Sequence, residues 1–285
     1  MHSRSDSQVT PLPAGRPANR AGPLPDLGRV SGLPSPAPAL RADPHRPWLV
    51  RYGKHLRGAF DWVIARSSCV PNGPVLPADL FDWTRRLRDE WRSVRDEAVA
   101  VALNGDAAPP LATISPDHRA IAEPGKWRSF FLWGYGYRID DNANLCPRTT
   151  ALVESIPGLN TAFFSILAPG TRIPPHRGVS KGLITCHLGL VVPDDGDVRM
   201  RVGDRIVRWS EGETLVFDDS YDHEVWNDSA RTRVVLLIQF ARPLRQPGRM
   251  FADLFLGIVR RSAFVQEARS NLARWNAALG ALDRR

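Results

Sequence analysis

Two histidines of this 285-residue chain stand in settings suited to binding a metal. His176 lies in Pro174-Pro175-His176-Arg177-Gly178, eleven residues before a third histidine in His187-Leu188-Gly189-Leu190. His223 follows Asp218-Asp219-Ser220-Tyr221-Asp222 and precedes Glu224-Val225-Trp226-Asn227, with Arg233 ten residues on. A neutral imidazole offers a nitrogen lone pair to iron, zinc, copper or nickel. A guanidinium meets a carboxylate with two parallel hydrogen bonds. Two imidazoles from separate strands, with an arginine on a third, therefore suit a divalent metal beside an organic anion.

The usual non-haem iron site takes two histidines and one carboxylate, leaving positions open for other ligands. A His-x-Asp/Glu pair would supply two of the three, but here Gly178 stands where the carboxylate belongs. By spacing alone the site lacks a ligand. Asp218, Asp219 and Asp222 are expected to shape the turn that presents His223, or to orient a ligand histidine from behind.

These residues need a β framework, and the sequence provides one from about residue 126 onward. Trp127 to Tyr137, Thr161 to Leu167, Leu183 to Val192, Glu213 to Phe217 and Arg233 to Phe240 are β-rich. Arg199 to Arg208 alternates around Gly203-Asp204 as a hairpin would. Short strands at this spacing predict a sandwich or barrel, mainly β with flanking helices. Upstream, Leu80, Trp83, Leu87, Trp91, Val94, Ala98 and Val101 recur at helical steps and predict one helix ending at Asn104-Gly105. After Pro243, Phe251, Leu254, Phe255, Ile258, Val259, Leu272, Trp275 and Leu279 predict a closing helical segment covering one face of the β core.

Composition narrows the function classes. Residues 1–48 hold ten of the 25 prolines and no aromatic before Trp48, so they are expected to form a disordered tail over 1–47. Of the net charge of +8, residues 1–60 carry +6, from nine Lys and Arg against three Asp. The charge is thus a property of one end, with no nucleic-acid motif beside it, so specific nucleic-acid binding is not expected. Contact with an anionic membrane surface stays open. Cys69, Cys146 and Cys186 form no CxxC, so no disulfide framework or cysteine zinc site is expected. No run approaches the roughly 20 apolar residues of a membrane span, nor does the N-terminus carry an apolar signal region. A cytoplasmic protein is expected.

The run from Ser165 to Arg233 resembles the aspartyl/asparaginyl β-hydroxylase family of iron(II)/2-oxoglutarate dioxygenases. The matching stretches are Pro174 to Gly178, Cys186-His187-Leu188-Gly189-Leu190-Val191-Val192-Pro193, and Gly212-Glu213 through Asp218-Asp219-Ser220 to Asn227. Phe131-Leu132-Trp133-Gly134-Tyr135-Gly136 is similar as well, and the likeness spans roughly residues 125–242. Animal members of the family carry glycine at the carboxylate position, so Gly178 fits this family while departing from the general pattern. The resemblance implies a double-stranded β-helix (jelly-roll, cupin-like) core over 125–245. A helical N-terminal part over 48–124 and a C-terminal helical segment over 246–285 would flank it. It implies His176 and His223 as catalytic iron ligands, and Ser165, His187 and Arg233 as the 2-oxoglutarate-binding residues. The implied cofactors are Fe(2+), 2-oxoglutarate as cosubstrate, and O2.

The implied substrate is less direct. Many members carry arginine two residues before the histidine that matches His187, and the animal enzymes carry another two residues earlier. This chain has Thr185 and Leu183 there, with Arg177 and Lys181 as the nearby cations. The leading expectation is hydroxylation of the β-carbon of an Asp/Asn-type residue in a peptide, protein or small metabolite. Two alternatives stay open: a lipid A acyl-chain hydroxylase at a membrane surface, and a catalytically silent binding module of the same fold.

Overall fold

The computed structural model describes residues 48–103 and 107–282. The expected disordered tail and the expected helix stop at Asn104-Gly105 lie outside them. Helix α1 (Trp48–Ser67) leads to the short strand β1 (Val75–Leu76). The helix expected across Leu80 to Val101 is broken. A 3-10 turn (Ala78–Leu80) precedes α2 (Trp83–Asp89), and α3 (Trp91–Leu103) starts anew after Glu90 leaves helical geometry at φ −98°, ψ 8°. The buried stripe Leu87, Val94, Ala98 and Val101 survives the break, because each helix turns the same face to the core. Leu80 is exposed. Next come α4 (Leu111–Ile114), a 3-10 turn (Pro116–His118), β2 (Trp127–Gly134), β3 (Tyr137–Arg138), α5 (Asp140–Leu145) and α6 (Pro147–Glu154).

The β core follows: β4 (Leu159–Leu167), β5 (Thr171–His176), β6 (Leu183–Val191), β7 (Asp197–Val202), β8 (Arg205–Arg208), β9 (Thr214–Phe217), β10 (His223–Asp228) and β11 (Arg233–Ala241). Helices α7 (Gly248–Arg261) and α8 (Ala263–Leu282) close the chain. One antiparallel sheet runs β1-β9-β6-β11-β4-β2-β3, and the other runs β5-β10-β7-β8. From β4 to β11 the chain passes back and forth between the sheets, and only the β7–β8 hairpin stays within one. That winding is the double-stranded β-helix, or jelly roll.

Strand alternation assigns the two faces of the larger sheet. Even-numbered Phe164, Ile166, Ile184, Cys186, Leu188, Val234, Leu236, Ile238 and Phe240 form one core, with Val94, Ala98 and Val153 of the helices packed onto it. Odd-numbered Phe163, Leu167, Phe217, Val235 and Leu237 face the smaller sheet, where Ile173, Met200, Val202 and Val225 meet them. Leu272 and Trp275 of α8 close this second core, whereas α7 packs against α1 rather than on a sheet.

Candidate functional site

The odd-numbered face carries more than apolar side chains. Ser165, Thr185, His187, Asp219, Arg233 and Gln239 all open into one cavity between the sheets. The cavity measures about 220 Å³, and His176 and His223 stand on the opposite wall.

The two histidines reach that wall by a bulge. Val225 pairs with Ile173 and His223 with His176, so β5 takes three steps where β10 takes two. Strict alternation would turn His176 away from the side on which Ile173 lies. The extra residue in Pro174-Pro175 returns it to the cavity. Proline has no N–H for a ladder, and β5 is the edge strand, where that lack is tolerated. The sequence reading did not assign β5 or β10 as strands, and these are the strands that carry the pair.

The imidazoles of His176 and His223 lie 4.1 Å apart, centre to centre, with their planes at 50°. Each Nδ1 is hydrogen-bonded to a backbone carbonyl, Pro174 O at 2.9 Å and Tyr221 O at 3.0 Å. A carbonyl only accepts, so in each neutral ring the proton sits on Nδ1 and Nε2 keeps its lone pair. Burial holds both rings below the usual histidine pKa, and for His176 the neighbouring His223 adds to it and the pKa falls to about 4. Two neutral rings with free Nε2 lone pairs are the state a divalent metal requires. Behind them, Arg201 bridges Asp222 at 2.9 Å and Glu224 at 2.6 Å, which fixes the start of β10. Asp222 is thus a surface ion-pair partner.

Across the cavity lies an anion site with no anion of its own. Arg233 is 1% exposed and makes no ion pair among the described residues. Its Nη1 is 3.4 Å from Ser165 Oγ, its Nε has no partner, and the guanidinium sits 4.9 Å from the Trp209 ring. Desolvation pulls its pKa down to about 9, which still leaves a cation at neutral pH. A buried, unpaired charge is costly unless a ligand completes it. His187 adds a second orphan. Its Nδ1 accepts from Trp209 Nε1 at 3.1 Å, so the ring proton sits on Nε2, which is buried without a partner. Burial, with Arg233 nearby, keeps this ring neutral. Ser165 Oγ accepts from Trp127 Nε1 at 3.0 Å, leaving its own proton to donate. Cation, imidazole N–H and hydroxyl together suit the carboxylate of a small organic acid.

Asp219 occupies the place that Gly178 leaves. The Gly178 N–H donates to the Asp219 carbonyl at 2.7 Å, and a β-carbon on Gly178 would collide with the Asp219 carboxylate. Oδ2 accepts from Thr185 Oγ1 at 2.9 Å and Gln239 Nε2 at 2.7 Å, while Oδ1 is buried with no partner. Burial raises its pKa to about 6. The expectation that it orients a ligand histidine is corrected, since both ligand-candidate rings bond to backbone carbonyls. Thr185 likewise proves to be Asp219's partner. Asp218 does shape the turn, accepting from the Ser220 N–H at 3.0 Å, and is buried against Arg242 and, at 2.8 Å, Lys181. Lys181 is therefore committed to that pair, whereas Arg177 is exposed at the cavity rim.

Trp127, Trp209 and His118 were not singled out from sequence. His118 lines the cavity from the 3-10 turn, 2.7 Å from Ser115 Oγ, with burial lowering its pKa to about 4. Nothing in its local spacing marks it, because the turn that brings it there is fixed by packing against α8.

The residues present fit a metal held by His176 and His223 beside a carboxylate ligand on Arg233. No cluster of three or more His, Cys, Asp or Glu suited to a metal occurs among the described residues.

The chain has relatives among known proteins. The family model described as aspartyl/asparaginyl beta-hydroxylase matches residues 88–243. The ornithine lipid ester-linked acyl 2-hydroxylase of Rhizobium tropici is 33% identical over 267 residues, which cover 93% of each chain. The human aspartyl/asparaginyl beta-hydroxylase is 33% identical over 208 residues, covering 68% of this chain and 26% of its own. The chain thus spans about a quarter of the human protein's length. A solved prolyl-4-hydroxylase from Pseudomonas putida is 19% identical, with a TM-score of 0.35, covering 55% of this chain and 88% of its own.

Proposed function

The chain belongs to the aspartyl/asparaginyl β-hydroxylase family, and from that premise we propose that it is an iron(II)- and 2-oxoglutarate-dependent hydroxylase acting on the acyl chain of a polar lipid. One observation carries the cofactor reading. A cavity of about 220 Å³ holds two imidazoles with free Nε2 lone pairs on one wall and the unpaired donors of Arg233 and His187 on the other.

His176 and His223 would hold the iron through Nε2. Bound iron supplies the coupling of O2 to oxidative decarboxylation of 2-oxoglutarate, giving succinate, CO2 and a hydroxylated substrate carbon. Arg233 would take the distal carboxylate, with Ser165 Oγ–H and His187 Nε2–H as further donors. Trp209 keeps the His187 proton on Nε2 by donating to Nδ1. Asp219 presents one unpaired carboxylate oxygen beside Gly178, an acceptor to which a water could donate. Phe163, Phe217 and Leu237 exclude bulk water from the larger-sheet side.

Two facts favour an acyl chain over the Asp/Asn β-carbon. Only the relative named as an acyl hydroxylase matches this chain end to end among those compared above. An acidic side chain would also need a cation, and of the two arginines lining the cavity one is assigned to 2-oxoglutarate and the other, Arg177, is exposed at the rim. The test is a 2-oxoglutarate turnover screen with mass detection of singly oxygenated products across acylated amino-acid lipids, lipid A precursors, peptides and free amino acids. Oxygenation confined to peptides or amino acids would overturn the lipid reading. Failure to take up iron under anaerobic Fe(II) loading, in a protein that still folds, would return the chain to a silent binding module.

A further inference from the structure

Helix α7 is apolar on two sides. Its inner side places Ala252, Phe255 and Val259 against α1 and the loop after His176. Phe255 meets Phe60 at 5.2 Å between ring centres, and a β-carbon on Gly182 would lie 3.1 Å from that of Ala252. Its outer side leaves Met250, Phe251, Leu254 and Ile258 exposed, at 55%, 41%, 62% and 36%. Spacings of three and four put these on one stripe. Isolated exposed apolar residues are ordinary, but four large ones on a single helical stripe mark a contact surface.

The helix that carries the stripe borders the candidate active site through its other side. Leu256, Val259 and Arg260 of α7 line a cleft together with Tyr135, Val179 and Gln239, and the last three also line the cavity that holds His176 and His223. Val179 is itself 42% exposed. Charge identifies what the stripe meets. Residues 245–261 carry four arginines (Arg245, Arg249, Arg260 and Arg261) against the single acid Asp253, all exposed. A second copy of this face would oppose arginine to arginine, whereas an anionic bilayer complements both the apolar stripe and its basic flank.

We propose that α7 is a membrane-docking helix that lays Met250, Phe251, Leu254 and Ile258 into an anionic lipid surface beside the mouth of the cavity. The proposal rests on the acyl-lipid reading above, because it gives that substrate a route from bilayer to site without full extraction into water. Arg177 and Val179 at the rim then face the headgroup layer.

The experiment is flotation of the full chain with phosphatidylcholine vesicles, with and without phosphatidylglycerol. Wild-type protein should float with the anionic vesicles and be released by salt. Leu254→Asp/Ile258→Asp should weaken partition by at least about tenfold, and Arg245→Glu/Arg261→Glu should weaken it selectively on anionic vesicles, both with unchanged melting temperature. Wild-type protein that stays in solution, or Leu254→Asp/Ile258→Asp protein that floats as well as wild type, would overturn the proposal. So would self-association of the wild type in sedimentation that the same variant abolishes without any change in flotation. Turnover separates this idea from the acyl-lipid reading. Docking predicts that the variant loses hydroxylation of vesicle-borne lipid yet retains it on detergent-dispersed lipid. Flotation as predicted with no lipid oxygenated in either form would sink the substrate assignment and leave the docking helix standing.

Discussion

Gly178 and Asp219 share one space: the Gly178 N–H donates to the Asp219 carbonyl at 2.7 Å, and the Asp219 carboxylate fills the volume that a side chain at 178 would need. The position that sequence reading marks as a missing carboxylate therefore has a carboxylate beside it, delivered from the turn before β10. Gly178→Ala should be destabilising by about 1–3 kcal/mol, as overpacking of a tight site usually is. In Gly178→Ala/Asp219→Ala the collision is gone, so a double-mutant cycle by chemical denaturation should show at least about 1 kcal/mol of favourable coupling. Strict additivity would mean that the two residues do not compete for that volume.

Arg233 is a buried cation awaiting a counter-ion. Arg233→Met should weaken 2-oxoglutarate binding at least about 100-fold, the loss of two charge-assisted hydrogen bonds. Without 2-oxoglutarate the same variant should melt no lower than wild type, because an uncompensated buried charge has been removed. Calorimetry and thermal melts with and without 2-oxoglutarate check both arms. A variant that melts lower yet binds 2-oxoglutarate normally would show that Arg233 is structural.

Trp209 acts on the same site through His187. Trp209→Phe keeps the ring over Arg233 but removes the donor to His187 Nδ1, so the imidazole proton is no longer confined to Nε2. We expect 2-oxoglutarate affinity to fall about tenfold, the value of one hydrogen bond, with iron affinity unchanged. Equal losses of both would point to general disruption.

Asp219 makes metal-free stability depend on pH. Burial raises its folded pKa to about 6, above the unfolded value near 3.9. Its proton is held more tightly in the folded state, so the associated stability is fully present below the unfolded value and is lost as pH rises through about 6. The shift corresponds to something on the order of 3 kcal/mol at pH 7. Buried His118 and His176, with pKa values lowered to about 4, act in the opposite sense over the same range, so Asp219→Asn should steepen the rise of metal-free stability between pH 4 and 6 (approximate bounds set by the two Asp219 pKa values), read by urea denaturation across that window. A parallel profile in the variant would place the titration on another group.

Much of the larger sheet was legible before any coordinates. Runs of apolar and β-prone residues placed β4, β6 and β11, and alternation around Gly203-Asp204 placed the β7–β8 hairpin. The smaller sheet was harder. Strand β5 contains Pro174-Pro175, and β10 reads His-Glu-Val-Trp-Asn-Asp, so neither shows an apolar alternation. Helices α2 and α3 read as one because their stripe continues in phase across Glu90, and the break there comes from backbone geometry.

The sequence by itself determined the chemistry available: two histidines in motif settings, a histidine and an arginine further along, a glycine where a carboxylate was expected, and the strands that bear His187 and Arg233. Those are properties of residue type and local period, and they survive without coordinates. Only the tertiary structure decided which polar atoms are left without partners. The Nε2 proton of His187 depends on Trp209, 22 residues away, and the burial of Arg233 depends on the sheets closing over it. The pairing of Gly178 with Asp219 depends on β5 and β10 being neighbours in one sheet. Hydrogen-bond satisfaction and desolvation are sums over distant parts of the chain, so no local pattern encodes them. That is why Gly178 looked like an absence in the sequence, and why in the fold it is the clearance that Asp219 requires.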